Sequence, residues 1–170
     1  MKQRYFRLAL YNTWANRRLY DAAAAVSDAE YRADRGAFFK SLHGTLNHLL
    51  VGDRLWMRRF TGVGEAPSRL DAILHERFED LRRAREAEDR RIENYVDGLD
   101  EKALNASFTY STVTNPAKVE QILCEALDHF FNHQTHHRGQ AHCLLTAIAG
   151  TAPAFDLIVL QREKGWAKKD

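Results

Sequence analysis

The sequence predicts an all-α protein built as a four-helix bundle, and three observations support this. Apolar residues make up 45 % of the 170 residues, which is enough to bury a core in one domain. Four long stretches carry apolar residues at the 3.6-residue spacing of amphipathic helices. Each stretch has roughly the 25-residue length of a bundle helix, and short loops join them. We therefore expect residues 1–170 to form a single domain.

The first two helices are predicted for residues 3–26 and 37–61. The first has one apolar stripe, formed by Leu8, Tyr11, Ala15, Leu19 and Ala22. The second is rich in leucine and aromatic residues, and two glycines followed by a proline after Thr61 mark its end. Tyr5, Tyr11 and Trp14 spread around the first helix more widely than one core face would use. For that reason a homodimer is expected.

The third helix is predicted for residues 72–98 and is heavily charged. Its main apolar positions are Phe78, Leu81, Ile92 and Val96. The run DLRRAREAEDRRIE between them is best explained as a solvated helix face rather than as a binding tract.

A short β excursion is predicted before the last long helix. In residues 106–113, Phe108 and Tyr110 alternate with serine and threonine, a period-2 pattern. A turn is expected at Asn115-Pro116. The last long helix is predicted for residues 119–149 and ends near Gly150. A short helix at 156–163 should then pack its leucine and isoleucine residues on the bundle.

Charge and composition narrow the classes of partner. The net charge is only +2, so nothing demands a nucleic acid. No apolar run approaches the ~18 residues of a membrane span, and the first residues lead into a helical pattern rather than a signal peptide. A cytoplasmic protein is expected. Cys124 and Cys143 lie on one predicted helix, roughly 28 Å apart, too far for a disulfide, so both should be free thiols.

Five of the eight histidines fall in one segment, HFFNHQTHHRGQAH, at residues 129–142. At ~100° per residue, His133 and His137 lie one turn apart on one helix face. Two imidazoles at this spacing can share a metal ion, as in the H-E-x-x-H metalloproteases. No glutamate follows His133 here. The general base of a metalloprotease is therefore missing, and that interpretation is set aside.

A third ligand should come from another helix, since a catalytic zinc-type site has three protein ligands and an open position. The candidates are His43, His48 and His75. The second helix has a stripe of mostly small residues that leaves room for a metal and a substrate, formed by Ser41, Thr45, His48 and Gly52. His48 is therefore favoured. His43 lies about 140° around the helix from it, and His75 falls in a charged segment.

Other polar residues of the second and the last long helix allow more than one role. His129 and His136 flank the ligand face and could support the ligands or only pack between helices. Gln140 could orient a histidine or form an ordinary hydrogen bond within the bundle. An ion pair with an arginine is the better interpretation of Asp53. No residue can be assigned as catalytic.

Three segments resemble those of a known family: HFFNHQTHHRGQ, SLHGTLNHLLVGDRLW and YNTWANRRLYDAA. They are similar, in the same order along nearly the whole chain, to the DinB/YfiT-like proposed metalloenzymes, also called damage-inducible DinB-like proteins. The resemblance implies an up-down-down-up four-helix bundle with a divalent metal held by three histidines. These positions correspond to His48, His133 and His137, the same set that the spacing favours.

The resemblance also implies a class of chemistry. Better understood relatives are transferases and isomerases that use low-molecular-weight thiols such as bacillithiol or mycothiol, with the metal activating the thiol. We therefore expect a metal-dependent transferase or hydrolase with zinc or nickel and a small-molecule substrate. The alternative is a metal-binding stress or damage-response protein without turnover. Structural zinc sites are commonly closed by four ligands, often cysteines. The lack of a convincing fourth ligand favours catalysis.

Overall fold

The computed structural model describes residues 1–113 and 117–167, which are mostly helical with one small antiparallel sheet. In chain order the elements are α1 Lys2–Ala23, α2 Asp28–Arg32, α3 Leu42–Thr61, α4 Phe78–Asp97, α5 Glu101–Leu104, β1 Ser107–Ser111, β2 Lys118–Ile122, α6 Leu123–Ala149 and α7 Leu157–Glu163. Within these residues, no helix combines the length and apolar character that crossing a bilayer requires.

The four long helices α1, α3, α4 and α6 form the predicted up-down-down-up bundle. α3 and α6 are antiparallel, since His48 contacts His137 and Phe60 contacts Phe130. α1 and α4 are also antiparallel, whereas α1 runs parallel to α6 and α3 runs parallel to α4. The all-α prediction with a short β excursion is therefore confirmed.

The interior of the bundle has two large apolar clusters with a polar layer between them, and a third, small cluster lies where α7 packs on α1. One large cluster includes Met57 and Phe130, and the other includes Leu46 and Leu144. The polar layer consists of seven buried side chains, which are Asn12, Asn16, Asp53, Arg85, Asp89, Gln134 and Arg138. All four long helices contribute to it.

Arg85 holds the polar layer together. Its Nη1 donates to Asp53 at 2.5 Å, and its Nη2 lies 3.0 Å from Asp89. Gln134 donates to the other oxygen of Asp53 at 2.7 Å. Asn12 donates to Asp89 at 3.0 Å and accepts from Arg138, the second buried arginine. The prediction of an ion pair between Asp53 and an arginine is confirmed. Because Asp53 and Asp89 depend on Arg85 for their cation, the layer favours one register of the helices.

The charge run of the third helix is not simply a solvated face. Arg85 and Asp89 are 2 % and 4 % exposed, and Glu88 is 7 % exposed. The run therefore presents one charged stripe to the interior. Ion pairs to Arg85 and Arg91 offset the desolvation cost of burying these charges. Leu81, together with Ile92 and Val96, is buried as predicted.

α3 begins five residues later than predicted. Residues 37–40 form a tight turn in which Lys40 adopts a positive φ of 66°. Ser41 then caps the helix, because its Oγ accepts from the backbone N–H of Gly44 at 3.1 Å. The turn places the aromatic ring of Phe39 outside the helix and close to the histidines.

α4 also begins later than predicted, at Phe78. The preceding loop is held by Asn47 of α3, whose Oδ1 accepts from the backbone N–H groups of Leu74 and His75 at 2.9 and 3.0 Å. A buried side chain that satisfies loop backbone groups competes with helix formation there. The loop therefore stays irregular and passes over the N-terminal half of α3.

The predicted strand is confirmed, but its partner was missed. Ser107–Ser111 pairs antiparallel with Lys118–Ile122, so residues 119–122, predicted as the start of the last long helix, are strand. The turn predicted at Asn115-Pro116 lies outside the described residues. α7 buries Leu160 but leaves Ile158 42 % exposed, contrary to the predicted packing of that isoleucine.

The aromatic residues that suggested a homodimer lie largely inside the chain. Tyr5 and Tyr11 are 2 % and 8 % exposed. Trp14 is partly buried, and its Nε1–H donates to Glu163 of α7 at 2.8 Å. The homodimer stays a prediction, without the support expected from these three side chains.

Candidate metal centre

The structure brings the three predicted histidines together. His48 of α3 and His133 and His137 of α6 place one ring nitrogen each within 4.8 Å of one another. His48 and His137 are 4 % and 9 % exposed. The two residues on α6 are one turn apart, as their spacing predicted, and His48 faces them from the antiparallel helix. We call these residues the three-histidine cluster.

Hydrogen bonds fix the orientation of two rings of the cluster. His48 donates its Nδ1–H to the backbone carbonyl of Leu70 at 2.7 Å. His137 donates its Nδ1–H to Oε1 of Gln140 at 2.7 Å. In both neutral rings the proton is then on Nδ1, and the lone pair is on Nε2. A metal-binding histidine has this arrangement, with its outer N–H given to a carbonyl or an amide.

The cluster is neutral at neutral pH because burial disfavours charged imidazoles. Burial, together with the neighbouring histidines, lowers the pKa of His48 to about 4 and that of His133 to about 3. Burial also lowers the pKa of His137, against the hydrogen bond to Gln140. Neutral imidazole is the form that coordinates a metal.

The three histidines cannot satisfy one another's ring nitrogens by hydrogen bonding, whereas a divalent ion could. Nε2 of His48 and Nε2 of His137 are 3.1 Å apart, and with both protons on Nδ1 this contact joins two lone pairs rather than a donor and an acceptor. Nδ1 of His133 is buried without a hydrogen-bond partner among the described residues. Nitrogens that share a tetrahedral zinc lie about 3.4 Å apart. A cation between the rings would satisfy the facing lone pairs of His48 and His137.

Gly52 makes room for His133. A Cβ at this position would lie 2.7 Å from Cε1 of the His133 ring, closer than atoms pack. A glycine inside a helix costs about 1 kcal/mol relative to alanine. The absence of a side chain lets the imidazole approach α3 closely, as the stripe of small residues predicted.

Aromatic rings and a small cavity surround the cluster. Phe39 stacks on His48 with ring centroids 3.7 Å apart. A cavity of about 270 Å³ opens beside the cluster, with His48 and His133 at one end and Trp56 and Arg59 further along α3. Phe39 and Leu70 are parts of the site that the sequence did not predict. Phe39 was assigned to a helix, and a backbone carbonyl carries no sequence signal.

The remaining histidines lie outside the cluster. His43 and His75 contact each other, through Nε2 of the former and the carbonyl of the latter at 3.1 Å. His129 packs on Trp56 at 5.1 Å between ring centroids. His136 accepts from the Gln140 amide at 3.2 Å. Gln140 thus bridges two histidines, and its side chain holds the ring of His137 through the hydrogen bond to Nδ1.

Both cysteines are free thiols, as predicted. Cys143 is exposed and is not part of the cluster, and Cys124 is half-buried near the start of α6. Among the described residues, the only group of three or more potential metal-binding side chains that converge is the three-histidine cluster.

Comparison with known proteins finds a family match over almost the whole chain. The family model described as the DinB family matches residues 1–168. The chain is also 29 % identical over 159 residues to Protein DinB of Bacillus subtilis (strain 168), and the alignment covers 88 % of each protein.

Proposed function

This chain belongs to the DinB family, and we propose that it holds one divalent ion through His48, His133 and His137 and acts as a metal-dependent enzyme. The observation that carries the proposal is the convergence of three neutral imidazoles whose nitrogens lie within 4.8 Å. Zinc and nickel both suit imidazole ligands, and we propose one of them as the native ion.

The surroundings of the cluster favour catalysis over a purely structural role. A structural zinc is normally closed by four ligands, whereas the described residues supply three. A cavity of about 270 Å³ adjoins the cluster, so a small molecule can reach it. A non-catalytic metal-binding protein would not require this opening.

The proposed reaction uses a low-molecular-weight thiol or water as the nucleophile. When bound, a divalent ion with three neutral ligands keeps its full charge and lowers the pKa of a thiol or water beside it. The protein keeps the imidazoles unprotonated by burying them and orients them through Leu70 and Gln140. Phe39 covers one face of His48 and limits access of solvent to it.

A cobalt form tests both the ion and the thiol. Purified protein loaded with cobalt is titrated with low-molecular-weight thiols, and the absorption spectrum is followed. A new sulfur-to-metal charge-transfer band, followed by transfer of the thiol to an epoxide or chlorinated electrophile, supports the transferase. Unchanged spectra with every thiol would leave hydrolysis, which ester substrates can test, or the non-catalytic alternative. The cytoplasmic location and the homodimer stay predictions.

A further inference from the structure

A stacked arginine lies in the cavity beside the three-histidine cluster. Arg59 follows Gly52 by about two turns of α3. Its guanidinium carbon is 4.4 Å from the ring centroid of Trp56 and 4.8 Å from that of Tyr110. Two cation–π contacts hold the planar group in one place without using its hydrogen-bond donors.

Arg59 has no acidic partner in the described part of the chain. The two nearest arginines toward the N-terminus both have partners: Arg58 donates to the carbonyl of Gly64 at 2.8 Å, and Arg54 pairs with Glu65 at 2.5 Å. Across residues 1–113 and 117–167, no carboxylate forms an ion pair with Arg59 and no hydrogen bond occupies its donors. Burial lowers the pKa of Arg59, with only Tyr110 acting against it. A half-buried cation without an anion is a costly arrangement.

The described lining of the cavity carries no negative charge. Of the described residues that line it, none is acidic, and Leu55 and Leu70 supply apolar wall between the histidines and Arg59. A divalent ion held by three neutral imidazoles would add two further positive charges. An anionic ligand is therefore the complement that this cavity favours.

We propose that Arg59 binds an oxyanion, a carboxylate or a phosphate, of the same small molecule whose donor atom reaches the three-histidine cluster. This proposal rests on the proposed function and specifies its substrate class as an acidic thiol. The planar guanidinium matches the two oxygens of such a group. At a rise of about 1.5 Å per residue, Arg59 lies about 10 Å along α3 from Gly52. The ring of His133 packs against Gly52. A ligand with about six carbons between its two groups covers that distance.

Calorimetric titration of the metal-loaded protein tests the proposal with matched pairs of ligands. Mercaptohexanoate is compared with mercaptohexanol, which has a neutral hydroxymethyl group in place of the carboxylate. A thiol-free pair, hexanoate and hexanol, tests Arg59 independently of the metal. Mercaptohexyl phosphate distinguishes the two oxyanions. The variants are Arg59→Gln, Arg59→Lys and the control Arg83→Gln, whose arginine is exposed and pairs with Asp80 on the surface of α4.

The acidic ligands should bind roughly tenfold more tightly than their alcohols, the size expected of one charge-assisted hydrogen-bonded pair. Arg59→Gln should remove this preference, Arg59→Lys should reduce it, and Arg83→Gln should keep it. All three variants should retain stoichiometric metal. Equal affinities for acids and alcohols in the unmodified protein would overturn the role of Arg59. If no thiol binds but hexanoate is still preferred, the proposed thiol chemistry fails while the anion site stands.

Discussion

Replacing Gly52 by alanine should separate the metal centre from the fold. The added Cβ would lie 2.7 Å from Cε1 and 3.3 Å from Nδ1 of His133. Because carbon atoms pack at roughly 3.5–4 Å, the imidazole must move by about 1 Å. The ring is the end of a side chain with two rotatable bonds, so it can give way where the α3 backbone cannot.

A shift of this size should disrupt metal binding while leaving the protein folded. Ligand distances tolerate deviations of about 0.2 Å, and loss of the support of a ligand histidine typically costs 10–100-fold in metal affinity. We expect at least that loss in Gly52→Ala. The free energy of unfolding should change by less than about 2 kcal/mol, since the gain of about 1 kcal/mol from alanine in a helix opposes an overpacking cost of about 1–3 kcal/mol.

Competition with a chromophoric chelator measures the metal affinity of this variant, and urea unfolding of the metal-free protein measures its stability. Gly139→Ala is the matched control, because a Cβ at this position on α6 meets no atom within 4 Å. The control should bind metal as the unmodified protein does and be equally stable or more stable. Normal metal affinity in Gly52→Ala would show that His133 is not a ligand in the observed position.

Three further outcomes are expected. Gln140→Leu removes the acceptor of the His137 Nδ1–H, so metal affinity should fall about 10–100-fold by chelator competition; an unchanged affinity would contradict the orienting role of Gln140. Arg85→Ala leaves Asp53 and Asp89 buried without their cation, so the free energy of unfolding should fall by about 3–5 kcal/mol in urea titrations; a smaller loss than about 1 kcal/mol would show that the polar layer does not depend on it. Finally, sedimentation at micromolar concentration should show a homodimer, and a clean monomer would refute this.

The sequence was most informative where the pattern is local. The spacing of His133 and His137 along one helix fixes their common face, and the small residues around His48 marked the face of α3 that meets them. The strand at Phe108 was likewise visible because alternation needs only a few residues. These features depend on helix or strand geometry, which neighbouring residues determine.

The parts that could not be predicted depend on contacts between distant segments. The charged pattern of α4 gives no sign that Arg85 is buried, because its counterions Asp53 and Asp89 become its neighbours only in the folded bundle. The position of Phe39 depends on a positive φ at Lys40, which its sequence does not demand. The carbonyl of Leu70 reaches His48 because Asn47 holds the loop segment after Leu70, at Leu74 and His75. Each of these requires the tertiary structure.

The most direct test of the account is the metal content of purified protein by elemental analysis. We expect about one divalent ion per chain, and loss of most of it on changing His48, His133 or His137 singly to alanine. The control is His142→Ala. His142 lies on α6 with His133 and His137, but its ring packs against Phe155. This variant should keep the full amount of metal. Stoichiometric metal in His133→Ala, or equal loss in His142→Ala, would contradict the three-histidine centre.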